Sequence, residues 1–276
     1  MLNDITLGQY FPGDSVIHKL DPRMKIIVAI IYIAAIFFAS DIYTLSVIFI
    51  INIIIILFSQ IPFIIILKAL KPLIFIIVFT VIINIFMTTG ETLLFSAGFV
   101  KIYLDSLIFA VFIVIRIVSL VSMTAVFITY TTSPTMLTDA IEQLLAPLKK
   151  IKIPVHEFAM MMTIALRFIP TLIDETEKII NAQKARGADF YSGNILKRAK
   201  ALIPVLIPLI VSAFRRADEL ATAMECRCYR GGEGRTKMKQ LRYSGKDFAA
   251  FAFAAAFIAA VVVLPKLFAG FNILAG

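Results

Sequence analysis

Between residues 26 and 58 the chain carries one charged residue, Asp41. A single straight helix of that length would be about 50 Å long at ~1.5 Å per residue, far beyond the ~30 Å of a bilayer's hydrocarbon core. Two spanning helices joined at Ala39-Ser40-Asp41 satisfy both apolarity and length. Similar runs follow. Gln60-Ile61-Pro62 punctuates the chain, Lys68 and Lys71 mark an aqueous boundary, and residues 72–89 form a third span that Gly90-Glu91 ends. Residues 104–129, containing Arg116, form a fourth, and residues 248–265 a fifth, between Asp247 and Lys266. With 60% of residues hydrophobic, 16% charged and a mean hydropathy of +0.93, the chain has too few charges to build the solvated shell of a water-soluble monomer. An all-α integral membrane protein with about five transmembrane helices is expected.

Charge is distributed unevenly along this map. Residues 130–246 hold 19 Lys and Arg against 11 Asp and Glu, which is +8 of the net +9. Lys19, Arg23 and Lys25 precede the first span, and Lys68 and Lys71 lie between the second and third, whereas the alternate loops carry only Lys101. Lys and Arg near span ends collect on the cytoplasmic side. The N-terminus and the basic block are therefore expected in the cytoplasm and the C-terminus outside. This gives an N-terminal membrane region over 1–129, a helical cytoplasmic domain over 130–245 and a final membrane helix over 246–276. The first apolar run lacks a small-residue cleavage site, so it is expected to be retained. Cys226 and Cys228 are too close in sequence to form a disulfide framework, which fits a reducing setting.

The basic block has helical periodicity and is divided by turn residues. Ser133-Pro134 opens a helix, Pro147 and Pro154 bracket a turn, Pro170 is expected to break the next helix, and Gly187 and Gly231-Gly232 to stop two more. Three to five amphipathic helices follow. Residues 201–214 are uncharged, short for a span, and carry Pro204 and Pro208 one turn apart. They read as a kinked helix packed under the membrane or against a partner.

Chemistry is sparse. His18 has a single carboxylate, Asp21, at i+3 and His156 has no ligand residue at i+3 or i+4, and Walker-type loops, HExxH and GxSxG are absent. Cys226-x-Cys228 supplies two thiolates of an incomplete metal site, so no metal is expected. Arg116 is the one intramembrane cation; it either lines a path or bonds carbonyls within the bundle, and Asn52 and Asn84 are open in the same way. These few groups do not form the polar pathway of an ion-coupled carrier.

The sharpest feature is a pair of segments 41 residues apart, Asn181-Ala-Gln-Lys-Ala-Arg-Gly187 and Thr222-Ala-Met-Glu-Cys-Arg-Cys228. Each closes a helical stretch with an Arg between small residues. Small neighbours permit close approach by another protein, and a guanidinium can fork onto a carboxylate. Arg before Gly is equally the signature of a helix C-terminus, where the cation offsets the dipole. Capping and docking both fit one copy; repetition favours docking. The cluster Met160-Met161-Met162, with Met136 and Met224, suits either an adaptable surface or, slightly preferred, helical core packing.

Taken in order, several stretches resemble one family. They are Leu20-Asp21-Pro22-Arg23-x-Lys25, Thr131-Thr132-Ser133-Pro134, Ala165-Leu166-Arg167-Phe168-Ile169-Pro170, Ala182-Gln183-Lys184-Ala185-Arg186-Gly187 and Arg215-Arg216-Ala217-Asp218-Glu219-Leu220 leading into Ala223-Met224-Glu225. The family is the T component, or transmembrane scaffold, of energy-coupling factor (ECF) transporters, ATP-driven importers of prokaryotes. The resemblance covers nearly the whole chain.

The resemblance implies that Ala185, Arg186 and Gly187 form a first Ala-Arg-Gly motif at the end of one coupling helix. Cys226, Arg227 and Cys228 occupy the second, with the Arg kept and both neighbours changed. Without Gly at position 228, the second helix is expected to continue to Gly231-Gly232. Two cytoplasmic ABC-type ATPase subunits would each receive one helix end, with ATP and Mg held by those partners and no cofactor in this chain. A small membrane subunit, the S component, would bind a vitamin or transition-metal ion and be gripped by surfaces including Met160, Met161, Pro204, Pro208, Ala213 and Ala217. The resemblance places the chain in a prokaryotic plasma membrane as a non-catalytic subunit, with lipid and protein but no nucleic acid as partners. The rival readings are a lipid-modifying membrane enzyme with Arg116 and the basic block on headgroups, and an autonomous channel or carrier.

Overall fold

The computed structural model describes residues 10–39, 41–88, 92–97, 100–190, 194–232 and 241–267. Ser40 and Gly90-Glu91, which the sequence assigns to loops, and residues 233–240 and 268–276 lie outside the described residues. The fold is all-α apart from one short hairpin. It packs as two units, one drawn from Ile141–Gln240 and the other from Gly8–Ala140 with the segment from Leu241 onward.

The larger unit is the apolar bundle. Helix α1 (Pro22–Phe38) starts where proline has no N–H to lose, and Asp21 Oδ1 accepts the Arg23 N–H at 2.9 Å. The same carboxylate binds the Arg23 guanidinium at 2.7 Å. The Asp21 N–H in turn donates to Asp247 Oδ1 at 2.7 Å, tying the start of the last helix, Gly245–Leu267, to the start of the first. Lys25 is buried and donates to the carbonyl of Thr131 at 2.7 Å. Two of the three cations preceding the first apolar run are thus engaged inside the protein. Helix α2 (Ile42–Ser59) follows, its Thr44 hydroxyl donating to the Asp41 carbonyl at 2.7 Å. At 17 and 18 residues, α1 and α2 reach about 26 and 27 Å.

The third span begins earlier than the sequence predicts. Helix α3 (Phe63–Leu70), a 3-10 turn over Lys71–Leu73 and helix α4 (Ile74–Met87) form one apolar rod, Phe63–Met87. Lys68 and Lys71 are exposed on it and do not interrupt it. Pro72 sits in the 3-10 turn, at a position where its missing N–H costs little. A hairpin that the composition did not signal, β1 (Leu93–Ala97) with β2 (Val100–Tyr103), leads into helix α5 (Leu104–Thr124). The last turn of α5 widens into a π-helix over Ala125–Tyr130, where the Thr131 N–H reaches back to the Val126 carbonyl at 3.3 Å. Lys25, the Thr132 hydroxyl on the Phe127 carbonyl (2.9 Å) and the Phe11 N–H on the Tyr130 carbonyl (2.9 Å) hold the turn that follows.

Polar groups within the bundle are structural. Asn52 donates to Tyr32 Oη at 3.1 Å and to the Ser119 carbonyl at 3.0 Å, and accepts from Ser122 at 3.0 Å, joining α1, α2 and α5. Asn84 donates within its own helix, to the Thr80 carbonyl at 2.8 Å. Arg116 donates to the Ala39 carbonyl at 2.7 Å, just past the end of α1, and lies 4.5 Å from the Phe112 ring centroid. A cation there offsets the negative end of α1. By length and composition, Phe63–Met87, Leu104–Tyr130, Val155–Ala185 and Gly245–Val263 are long and apolar enough to cross a membrane, and Tyr43–Ser59 is a shorter apolar helix.

The second unit is built from helix α6 (Pro134–Leu144), which begins in the other unit, a 3-10 turn over Ala146–Ile151, helix α7 (Val155–Ala185) and helix α8 (Ile195–Cys226). Pro170 does not break α7, and Pro204 and Pro208 do not break α8. Each proline removes one intrahelical bond, yet helices of 31 and 32 residues retain enough bonds on either side to continue through it. The helix α9 (Gly245–Leu267) belongs to the apolar bundle.

Candidate functional site

The two longest helices are clasped at one level. Glu175 of α7 accepts the Ser212 hydroxyl at 2.5 Å and the Arg216 guanidinium at 2.6 Å, both from α8. These bonds hold the Glu175 carboxyl below the usual carboxylate range, first through the Ser212 hydroxyl and then through Arg216. Sequence reasoning missed this contact. The signal was present: Glu175 and Arg216 are separated by 41 residues, the interval that separates Arg186 from Arg227. Counting outward, 175 to 186 and 216 to 227 are each 11 residues, so the two arms extend equally, about 16 Å, beyond the clasp.

Both arms finish with the same backbone turn. At the end of α7 the Gly187 N–H donates to the Lys184 carbonyl at 2.9 Å and the Ala188 N–H to the Gln183 carbonyl at 3.0 Å. At the end of α8 the Cys228 N–H donates to the Glu225 carbonyl at 2.8 Å and the Tyr229 N–H to the Met224 carbonyl at 3.0 Å. Each is a Schellman closure, with Arg at the C-cap and the next residue left-handed: φ is +87° at Gly187 and +56° at Cys228. The expected continuation of the second helix to Gly231-Gly232 is therefore incorrect. Cysteine accepts the left-handed conformation at a cost of roughly 1 kcal/mol, which the two closing bonds outweigh.

Backbone groups, and not the guanidinium groups, satisfy the last carbonyls of each arm. Ala185, Arg186, Gly187, Cys226, Arg227 and Cys228 are all exposed. Neither Arg186 nor Arg227 pairs its side chain with another group among the described residues. Each end therefore presents a cation with five N–H donors, flanked by residues no larger than cysteine. The segment after the second end returns to the base of α7, where Gly232 packs against the His156 ring so closely that a Cβ would lie 2.4 Å from His156 Cδ2. His156 is held by Glu142 at 2.9 Å.

The remaining candidate residues do not form one surface. Met161 and Met162 are exposed, so the preferred reading of core packing fails for these two, while Met136, Met160 and Met224 are half-buried. On α8, Pro204 and Pro208 are exposed, Ala213 is half-buried and Ala217 exposed. At about 100° per residue, the proline pair and the alanine pair occupy opposite faces of the helix. An exposed apolar stretch, including Leu206, Ile207, Ile210, Val211 and Phe214, fills the side of the helix between these two faces. Cys226 and Cys228 are free thiols, and among the described residues three or more His, Cys, Asp or Glu nowhere come together as metal ligands. Arg116, which the lipid-enzyme reading needs at a headgroup, is committed to the Ala39 carbonyl.

The arrangement defines a class: a helical membrane subunit whose longest helices end in exposed, equivalent cationic tips. Comparison with known proteins narrows it. The CbiQ family, described as cobalt transport protein, matches residues 13–238. The energy-coupling factor transporter transmembrane protein EcfT of Ruminiclostridium cellulolyticum is 55% identical over 97% of this chain and 100% of its own length. Proteins of the same name are 52% identical in Clostridium kluyveri (91% of this chain, 93% of that protein) and 45% identical in Bacillus subtilis (90% and 93%). The chain belongs to the CbiQ family, among the transmembrane components of ECF transporters.

Proposed function

We propose that this chain couples ATP hydrolysis by two cytoplasmic ATPase subunits to a membrane-embedded substrate-binding subunit, importing vitamins or transition-metal ions. Each ATPase receives one tip, Ala185-Arg186-Gly187 or Cys226-Arg227-Cys228, and closure of the ATPases on ATP drives the tips together. ATP and Mg belong to those partners, and this chain contributes no catalytic residue. The clasp at Glu175, Ser212 and Arg216 is the level about which the arms transmit displacement. The exposed apolar stretch of α8 with Pro204 and Pro208, and the Met160-Met161 surface of α7, grip the substrate-binding subunit; Ala213 and Ala217 allow close approach on the other face of α8. The tips lie in the cytoplasm with the N-terminus, and the C-terminus lies outside.

One observation carries this reading. Two guanidinium groups at identically closed helix ends are exposed and unpaired among the described residues, although each end already has its backbone bonds made without them. An arginine retained only as a cap would not need to occupy both places in the same turn geometry. Truncating an Arg desolvated in an interface costs about 2–5 kcal/mol of binding. Arg186→Glu and Arg227→Glu should therefore each reduce co-purification of the ATPase subunits and abolish uptake by cells, with membrane insertion unchanged. Normal assembly and uptake in both variants would refute the proposal.

A further inference from the structure

Between Gln143 and His156 the chain carries three lysines, no arginine and no acidic residue, and the proposed coupling mechanism uses none of this stretch. The end of α6 runs directly into the 3-10 turn over Ala146–Ile151, where the Leu148 N–H donates to the Leu145 carbonyl at 2.9 Å and the Lys152 N–H to the Lys149 carbonyl at 3.0 Å. Side chains three residues apart eclipse one another in such a helix, so Leu145, Leu148 and Ile151 share one edge. Ile141, four residues before Leu145, continues that edge onto α6. The result is an apolar ridge about 18 Å long. It is not packed away: Ile141 and Leu145 are exposed, Leu148 is half-buried, and Ile151 is 74% exposed.

Lysines flank this ridge. Lys149 and Lys150 occupy the other two edges of the 3-10 turn, and Lys152, left-handed with φ +62°, closes it. All three are exposed, and none forms an ion pair among the described residues. The carboxylates that bracket the stretch are Glu142, buried and bonded to His156 at 2.9 Å, and Glu157 in the first turn of α7. Counting both as charged still leaves the turn positive. Lys149 follows Tyr130, where the fourth apolar helix ends, by 19 residues, within the distance over which lysines carry the positive-inside signal.

We infer that residues 141–153 form a surface that rests on the anionic lipid headgroups of the cytoplasmic leaflet, with Leu145 and Ile151 among the upper acyl carbons and Lys149, Lys150 and Lys152 on phosphates. An apolar edge with ammonium groups on both flanks is how an interfacial helix lies in a membrane surface, because lysine stems run along apolar material while their charges stay in water. The negative potential of that leaflet supplies the complementary charge. An acidic protein surface would also satisfy the lysines, but protein interfaces are depleted of lysine and favour arginine, which this stretch lacks. The inference shares with the proposed function only the cytoplasmic placement of this segment, and its test reads neither ATPase docking nor uptake.

The chain has no tryptophan, so Ile151→Trp places a single reporter on the ridge. The full chain carrying it is reconstituted into vesicles whose acyl chains are brominated near the headgroup, made of phosphatidylcholine alone or of an equal mixture with phosphatidylglycerol, and quenching of the tryptophan reads its insertion. The anionic lipid should raise the ratio of inserted to withdrawn tryptophan by about five-fold for each lysine engaged. Lys149→Gln, Lys150→Gln and Lys152→Asn together change exposed positions only, with asparagine tolerated at the left-handed one, and should return the mixture to the phosphatidylcholine value. Equal quenching in both vesicles would overturn the inference, as would a phosphatidylglycerol effect that survives the triple change. So would a tryptophan left unquenched in the mixture; a shift of its emission on adding the ATPase subunits would then make the ridge a protein contact.

Discussion

At the end of α7 the left-handed position is filled by Gly187; at the end of α8 it is filled by Cys228, and both ends close with the same pair of backbone hydrogen bonds. Side chains around the two turns differ almost entirely: Gln183, Lys184, Ala185 and Ala188 on one, Met224, Glu225, Cys226 and Tyr229 on the other. What the two share is the arginine, the small size of its immediate neighbours and the distance from the clasp. Shape and one charge are therefore the common requirement, and the surrounding chemistry is free to vary. The first tip has Lys184 beside its arginine and the second has Glu225, so the two ends carry different local charge while presenting the same guanidinium.

The largest effect should come from treating the tips as equals. If each arginine is desolvated against a carboxylate, reversing either one costs about 2–5 kcal/mol of ATPase binding, and the two losses should be similar. Reversing both should eliminate the complex. Quantitative co-purification of both ATPases with each single variant and the double checks this. A loss confined to Arg186→Glu would break the equivalence and assign docking to the glycine-closed end alone.

The clasp tests the equality of the arms at a distance from either tip. Glu175→Gln weakens the link between α7 and α8 while leaving both arginines in place, so ATPase recovery should persist while uptake falls. The carboxyl is held below its ordinary value of 4.5 by Ser212 and Arg216. A group whose folded-state value is depressed lends stability above its unfolded value, and that contribution fades as pH falls through the lowered one. The α7–α8 contact should thus be intact at neutral pH and weaken in acid below the ordinary carboxylate range. Cross-linking between single cysteines placed on the two helices, followed from pH 7 downward, should show this decline in the parent chain and none in Glu175→Gln.

Much of this was legible in the sequence because membrane spans and helix ends obey local rules. The joint between the first two spans follows from length alone, and Arg186 and Arg227 stand out through a repeat that needs no partner to be seen. Errors arose where tertiary context outweighed a local signal. Lys68 and Lys71 read as a boundary, yet they sit exposed on a continuous rod because a lysine stem can lie along an apolar helix with its ammonium in water. Pro170 read as a break, yet α7 is long enough to carry it. The second tip was extended to Gly231-Gly232 because cysteine rarely adopts a positive φ, whereas the two closing backbone bonds impose it on Cys228. The clasp was hidden because Glu175, Ser212 and Arg216 resemble any solvated helical face until the second helix is laid across the first.

The smallest expected effect is also the cleanest comparison of the two closures. A Cβ at position 187 would meet no atom within 4 Å, so Gly187→Ala carries no steric clash and its cost comes only from a φ of +87°. That cost is about 1 kcal/mol. Cys228→Gly removes the corresponding strain at the other end, but glycine adds freedom to the unfolded chain worth about 0.5–1 kcal/mol, so the net gain should be no more than about 0.5 kcal/mol. Hydrogen exchange of the final turns resolves such differences: protection at Lys184–Arg186 should fall in Gly187→Ala, and protection at Glu225–Arg227 should rise slightly in Cys228→Gly. Docking should change little in either variant if the turn, once closed, presents its arginine in the same direction. If Cys228→Gly alters ATPase binding by more than its effect on protection, then the thiols themselves contact the partner, and the two ends are alike in backbone but not in mode of engagement.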